Sequence, residues 1–151
     1  LASVLGADSV EVILELAYPE YLQQLSEGAF ALDSYPFGGY NTIVDGLYLR
    51  KPMVVLEGGQ FVNRAAAALL RQVGLPELIA RTPEEFVEKT LRLINDKAWR
   101  KSLSTKIGKI DLTKRLFDTD SPAYFKKAID YLLKNHSSLQ ADASRKPIVI
   151  K

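Results

Sequence analysis

Apolar residues along the chain fall into two kinds of pattern. Short continuous runs occur at Val10-Glu11-Val12-Ile13-Leu14, Ala29-Phe30-Ala31-Leu32 and Met53-Val54-Val55-Leu56. Between and after them, apolar positions recur at helical spacing: Tyr21, Leu22 and Leu25, then Ile43, Val44, Leu47 and Tyr48, then Ala65, Ala66, Leu69, Leu70 and Val73. The first pattern predicts strands and the second helices. Ala29–Leu32 shows no alternation, as expected of a strand buried on both faces of a parallel sheet. Punctuation agrees with this division. Pro19-Glu20 opens the first helix and Gly28 ends it, a second helix starts near Asn41 and stops at Lys51-Pro52, and a third runs from Asn63 to Gly74.

Thr82-Pro83-Glu84-Glu85 combines an N-cap residue, a proline at the first helical position and a glutamate at the third, with Glu85/Lys89 and Glu88/Arg92 spaced for pairing along the helix. A further helix is expected from Asp96 to Ile107. Ser121-Pro122 opens another whose Phe125, Ala128, Ile129, Leu132 and Leu133 form a buried stripe, widened by Tyr124 and Tyr131, and the chain beyond Asn135 reads as irregular. Strands alternating with helices over short connections imply parallel βαβ units, hence the α/β class. With only three strands visible, the expectation is half of a Rossmann-like doubly wound parallel sheet followed by C-terminal helices. Residues 1–115 form the α/β part and 116–151 the C-terminal helix and tail.

Composition narrows the chemistry. The 151 residues carry a net charge of +2, with 47% hydrophobic and 25% charged residues, in the ordinary range for one globular domain. The absence of cysteine removes disulfides, thiolate metal sites and cysteine nucleophiles, and fits a reducing compartment. So small a net charge argues against a nucleic-acid partner. No apolar run approaches the roughly 18 residues that span a bilayer, and no basic-then-apolar leader is seen, so no membrane partner is expected. A start at Leu1, inside what reads as a folded region, suggests a piece of a longer protein.

The densest cluster of turn formers lies between the second strand and its helix, from Asp33 to Thr42. In open α/β sheets, ligands bind beyond the carboxyl ends of the strands, where the first turn of the next helix offers unpaired N–H groups and partial positive charge. Gly38 and Gly39 allow close backbone approach, while Tyr40, Asn41 and Thr42 add side-chain donors, a combination suited to phosphate. Asp45 lies one helical turn deeper on the same face, where a carboxylate can accept from ribose hydroxyls. Together they describe a nucleotide site. Spacing alone leaves an equal alternative, in which Gly-Gly is an ordinary loop and Asp45 merely favours the positive end of its helix. Neither the G-x-G-x-x-G fingerprint nor the phosphate loop ending in G-K-[ST] is present.

The run Leu32-Asp33-Ser34-Tyr35-Pro36-Phe37-Gly38-Gly39-Tyr40-Asn41-Thr42-Ile43-Val44-Asp45-Gly46-Leu47, with Pro52–Val55, Arg64–Leu70 and Gly74–Ala80, resembles the C-terminal catalytic half of the O-linked N-acetylglucosamine transferases. It equally resembles their bacterial relatives, the adhesin-modifying cytoplasmic N-glycosyltransferases, and Leu116–Thr119 and Lys146-Pro147 extend the likeness towards the end of the chain. The resemblance implies a two-domain GT-B architecture, of which this chain holds part of the C-terminal domain. In the serine- and threonine-modifying branch the turn reads Gly-His-Thr-Thr with an aspartate three residues later, which falls on Gly39, Tyr40, Asn41, Thr42 and Asp45; here the histidine and one threonine are replaced. The N-glycosyltransferase branch places an asparagine four residues before that aspartate, matching Asn41 and Asp45. Both branches imply a nucleotide-binding set of Gly38, Gly39, Tyr40, Asn41, Thr42 and Asp45. They further imply transfer of a sugar from a UDP-sugar donor to a protein or peptide side chain, in the cytoplasm, without a metal or other cofactor. The catalytic base would come from the N-terminal remainder of the protein.

Other candidates carry less. Asp118-Thr119-Asp120 spells D-x-D, but it precedes a helix start, where aspartates are favoured locally, and lacks companion ligands, so no metal is expected. His136, the only histidine, sits among polar neighbours and reads as solvated. Arg64 opens the helix after Glu57-Gly58-Gly59-Gln60, where it either faces the ligand or serves the fold, and the amides of Leu16-Ala17-Tyr18 are placed to meet a nucleobase edge. Two rival functions remain, a nucleotide-sugar epimerase and a non-catalytic nucleotide-binding module. The first needs titratable groups near the sugar that these turns do not supply.

Overall fold

A computed structural model describes residues 7–116, 121–144, 146, 148 and 149. The chain divides into two compact units, Leu1–Leu112 and Thr113–Lys151. Among the described residues the first unit holds three strands, β1 (Ala31–Leu32), β2 (Met53–Leu56) and β3 (Ile79–Ala80), all parallel and ordered β1-β2-β3. Ala31 pairs with Met53 and Leu32 with Val54, while Val55 pairs with Ile79 and Leu56 with Ala80. Helices α1 (Tyr18–Glu27), α2 (Asn41–Tyr48), α3 (Ala65–Gln72), α4 (Pro83–Asn95) and α5 (Lys97–Gly108) surround or connect them, and a short α6 (Leu112–Leu116) follows. The α/β class and parallel sheet are those expected.

Strand β2 is the centre. Met53, Val54 and Val55 are buried because neighbours cover both edges of the strand and helices pack on it. Ile43 and Leu47 of α2 and Ala66, Ala67, Leu69 and Leu70 of α3 supply the core against which it lies. Gly46 is needed at this contact, since a Cβ there would fall 2.1 Å from the Met53 sulfur. Helix α3 ends where Gly74 takes φ of +80°, a left-handed turn that glycine adopts freely, and Leu75 N–H returns to the Leu70 carbonyl at 2.8 Å.

Two strand expectations are corrected. Val10–Leu14 forms no strand; Val12 and Leu14 are 79% and 82% exposed, because β-branched residues favour a sheet only where a partner strand and a packing surface exist. The third strand is instead Ile79–Ala80, fully within the core but only two residues long. Ala29–Leu32 contributes just Ala31 and Leu32, and Leu32 is 46% exposed, so β1 is a half-covered edge and not a strand buried on both faces.

Helix α4 begins as its sequence signature requires. Thr82 Oγ1 accepts from Glu85 N–H at 3.2 Å, and the Glu85 carboxylate reaches back to Arg81 N–H at 2.9 Å. The expected pairs along this helix are not the ones made. Lys89 donates to the Glu77 carbonyl at 3.0 Å, and Arg92 meets Asp96 at 3.8 Å while lying over the Trp99 ring at 4.2 Å. Thr82→Ala is expected to cost about 1 kcal/mol of stability through loss of the cap, read as a lower midpoint in urea with unchanged m-value.

The second unit contains α7 (Ser121–Lys134) and α8 (His136–Ala141). Residues beyond Asn135 are thus helical through Ala141, where an irregular tail was expected; Asn135 and Ser138 side chains bond backbone carbonyls here and stay within the helical path. The stripe on α7 is also corrected. Phe125 is 68% and Leu133 72% exposed, so helical spacing identified an apolar face but not a covering partner. Tyr124 and Tyr131 are likewise exposed, Tyr124 lying beneath the Lys127 ammonium at 5.8 Å.

Candidate nucleotide site

Strand β1 runs into Asp33, whose N–H still donates to the Val54 carbonyl at 3.0 Å and so continues the sheet by one residue. The chain then turns through Ser34 to Tyr40 before α2 starts at Asn41. Ser34 Oγ donates to the Phe37 carbonyl at 2.6 Å, and the Tyr35–Pro36 peptide is cis. Gly38 N–H donates to the Val62 carbonyl at 3.0 Å, and Gly39 N–H to Asp33 Oδ1 at 2.7 Å. Both glycine amides therefore have partners within the protein. A Cβ on Gly39 would stand 2.1 Å from Thr42 Oγ1, and one on Gly38 would stand 2.8 Å from Asp33 Oδ2. Close packing on the inner side of the turn is what requires glycine here.

The first turn of α2 is left open by its sequence. Tyr40 is the N-cap residue, its side chain makes no capping bond, and no acidic residue lies in the first turn. The partial positive charge of this helix end is thus uncompensated locally by its own residues. It opens on a cleft of about 650 Å³ lined by Ser34 and the run Phe37–Thr42 on one side and by Phe61, Val62 and Ala65 on the other.

Five of the six expected ligand-binding residues, Gly38, Gly39, Tyr40, Asn41 and Thr42, are brought together on this cleft. Asp45 lies outside its lining. Its Oδ1 accepts the Tyr18 hydroxyl at 2.7 Å, and Tyr21 lies close, stacked on Tyr18 with centroids 6.0 Å apart. The bond to Asp45 pushes the Tyr18 phenol above its ordinary range, and burial does the same for Tyr21. Burial also raises the Asp33 carboxyl, against the opposing effect of Gly39 and Ser34 amides.

The second strand-to-helix turn is present but differs from expectation in detail. A short 3-10 turn, Phe61–Asn63, precedes α3, and it contributes Phe61 and Val62 to the cleft, joined by Ala65 at the start of α3 in place of Arg64. Arg64 is exposed, and its charge acts with Arg71 to hold the Glu57 carboxyl below the usual range, the Arg71 hydrogen bond being the main cause. Asn63, the buried polar residue here, accepts from Gln60 N–H at 2.9 Å and fixes the loop whose Val62 carbonyl anchors Gly38. Leu16 lines a second, mostly apolar cavity of about 530 Å³ between the 13–16 segment and Tyr21, Gln24 and Leu25 of α1. The contributions of Tyr18 and Phe61 to this region come from tertiary approach, which only the arrival of strand ends at one edge could have indicated, whereas the Asp33 bond to Gly39 is local to the turn that the sequence marks.

His136 is exposed at the start of α8. Asp118-Thr119-Asp120 and Phe117 lie outside the described residues, as do Leu1 to Gly6 and Pro147. Among the described residues no group of three or more histidine, cysteine, aspartate or glutamate side chains is disposed to hold a metal, and no helix is long and apolar enough to cross a membrane.

A parallel α/β unit with a glycine-built turn opening a helix at the sheet's carboxyl edge defines the class of protein. The chain belongs to glycosyl transferase family 41, whose model matches residues 21–126. It is 33% identical over 85 residues to the probable UDP-N-acetylglucosamine–peptide N-acetylglucosaminyltransferase SPINDLY of Petunia hybrida, covering 56% of this chain and 9% of that protein. To the UDP-glucose:protein N-beta-glucosyltransferase of Actinobacillus pleuropneumoniae serotype 5b it is 34% identical over 94 residues, 62% of this chain and 15% of the relative. A solved mutant of the Thermobaculum terrenum O-GlcNAc transferase superposes with a TM-score of 0.65 at 31% identity, over 67% of this chain and 19% of that one. The family is the one that the residues from Leu32 to Ala80 resemble, and the chain spans only 9% to 19% of the length of these three proteins.

Proposed function

We propose that this chain is the donor-binding part of a transferase that moves a sugar from a uridine diphosphate to a protein side chain. The observation that carries the reading is the single cleft on which Gly38, Gly39, Tyr40, Asn41 and Thr42 meet at the open start of α2. The diphosphate lies against that helix end, where the free amides and the Tyr40, Asn41 and Thr42 side chains offset the charge that builds on the leaving group. The ribose sits towards Asp45. The names of the relatives support this choice of donor and acceptor, one specifying UDP-glucose and protein, the other UDP-N-acetylglucosamine and peptide. Leaving-group stabilisation by amides and hydroxyls needs no divalent ion, so transfer proceeds without metal. Protein or peptide acceptor and the catalytic base meet the sugar through the rest of the full-length protein, in the cytoplasm.

The test is an amide-resolved nuclear magnetic resonance titration with UDP. Shifts are expected from Gly39 to Asp45 and at Phe61 and Val62. Saturable shifts confined to other residues would remove the site. Binding at this turn without any sugar transfer by the full-length protein would favour a non-catalytic nucleotide-binding module.

A further inference from the structure

We propose that Asp33 is a positioning residue for donor binding, acting through the diglycine turn and not by touching the donor. The inference rests on the functional reading above, since it concerns the turn that would hold the diphosphate. Asp33 is set by the sheet, its N–H bonded to Val54 at the end of β1. Its side chain then reaches six residues ahead to accept Gly39 N–H at 2.7 Å. The two glycines are fitted around this carboxylate: a Cβ on Gly38 would stand 2.8 Å from Oδ2, and one on Gly39 3.1 Å from Oδ1. Gly38 N–H is held separately by Val62 at 3.0 Å. The turn is thus pinned at two adjacent amides, Gly39 to the end of its own strand and Gly38 to the neighbouring β2-to-α3 connection, and Tyr40 and the start of α2 follow directly from it.

A carboxylate so close to a proposed diphosphate site repels the ligand in its own right. Its value lies in geometry. By accepting an amide inside the turn it fixes where the next amides point, which are the ones left to face the cleft. An aspartate that served only to stabilise the fold would affect all ligands alike. One that aims the turn affects the phosphates and leaves nucleoside contacts untouched.

The experiment compares UDP and uridine binding by calorimetry in the full-length protein and its variants at position 33, with hydrogen exchange at the Gly39 amide as a second measurement. Asp33→Ala is expected to weaken UDP binding about tenfold, through loss of one charged hydrogen bond's worth of ordering, while uridine binding changes less than about twofold. Asp33→Asn keeps an acceptor oxygen at the same reach and restores UDP affinity to within about threefold of the parent. If Asp33→Ala does not fold, Asp33→Asn and Asp33→Glu carry the test, the longer side chain misplacing the oxygen and losing UDP affinity while Asn retains it. Equal weakening of UDP and uridine, or Glu and Asn variants that bind UDP like the parent, overturns the positioning role. Parent protein that binds no UDP overturns the functional reading and this inference with it, whereas parent binding with an unaffected Asp33→Ala overturns only this inference. Unchanged Gly39 exchange in Asp33→Ala likewise overturns it.

Discussion

Asp45→Ala is expected to weaken binding of a UDP-sugar by on the order of tenfold, because ribose hydroxyls lose a charged acceptor worth about 1.5 to 3 kcal/mol per bond. The geometry bounds the loss. Asp45 Oδ1 already accepts the Tyr18 hydroxyl at 2.7 Å, so a ribose must share or displace that bond and the net gain is less than two full hydrogen bonds. The competing explanation, that Asp45 only favours its helix dipole, predicts something different. Asp45 is the fifth residue of α2, past the first turn where that effect is felt, and its removal would change stability by no more than about 0.3 to 1 kcal/mol. Calorimetry with the donor, run beside thermal melting, separates the two. A dissociation constant within about twofold of the parent, whatever the melting temperature does, would take Asp45 out of the site.

Local signals explain most of what the sequence disclosed about the fold. The Thr82 cap, the Gly74 stop, the start of α2 near Asn41 and the apolar run of β2 each depend on a few adjacent residues, and each stands where it was expected. Expectations that needed a partner fared differently. Val10–Leu14 has the composition of a strand but no strand beside it, and the α7 stripe has the spacing of a buried face but remains exposed. Ile79–Ala80 shows the reverse: two residues are too few to carry a pattern, yet β2 recruits them into the sheet. The cleft follows the same division. The run from Phe37 to Thr42 was legible because glycine pairs before a helix have a physical meaning, whereas Phe61, Val62 and the bond from Gly38 to the Val62 carbonyl arise only when two connections meet at one sheet edge.

Leu70→Ala is expected to destabilise the protein by about 2 to 5 kcal/mol and to lower the melting temperature by on the order of 10 °C. Leu70 is 0% exposed on α3, the helix that packs on β2 and on the 76–78 turn leading into β3. Truncation removes apolar burial and leaves a cavity that the surrounding helix and strand cannot close, since their backbones are tied by the sheet and by the Leu75 bond to the Leu70 carbonyl. The control is Leu32→Ala on β1. The sequence pattern places both leucines in the interior, Leu70 on a helix face and Leu32 in a strand expected to be buried on both faces, but Leu32 is 46% exposed and its truncation should cost no more than about 1 kcal/mol. Equilibrium urea unfolding of the two variants checks the difference. Similar midpoints for both would mean that β1 is covered in the protein's working form, and the burial assigned to this edge of the sheet would be wrong.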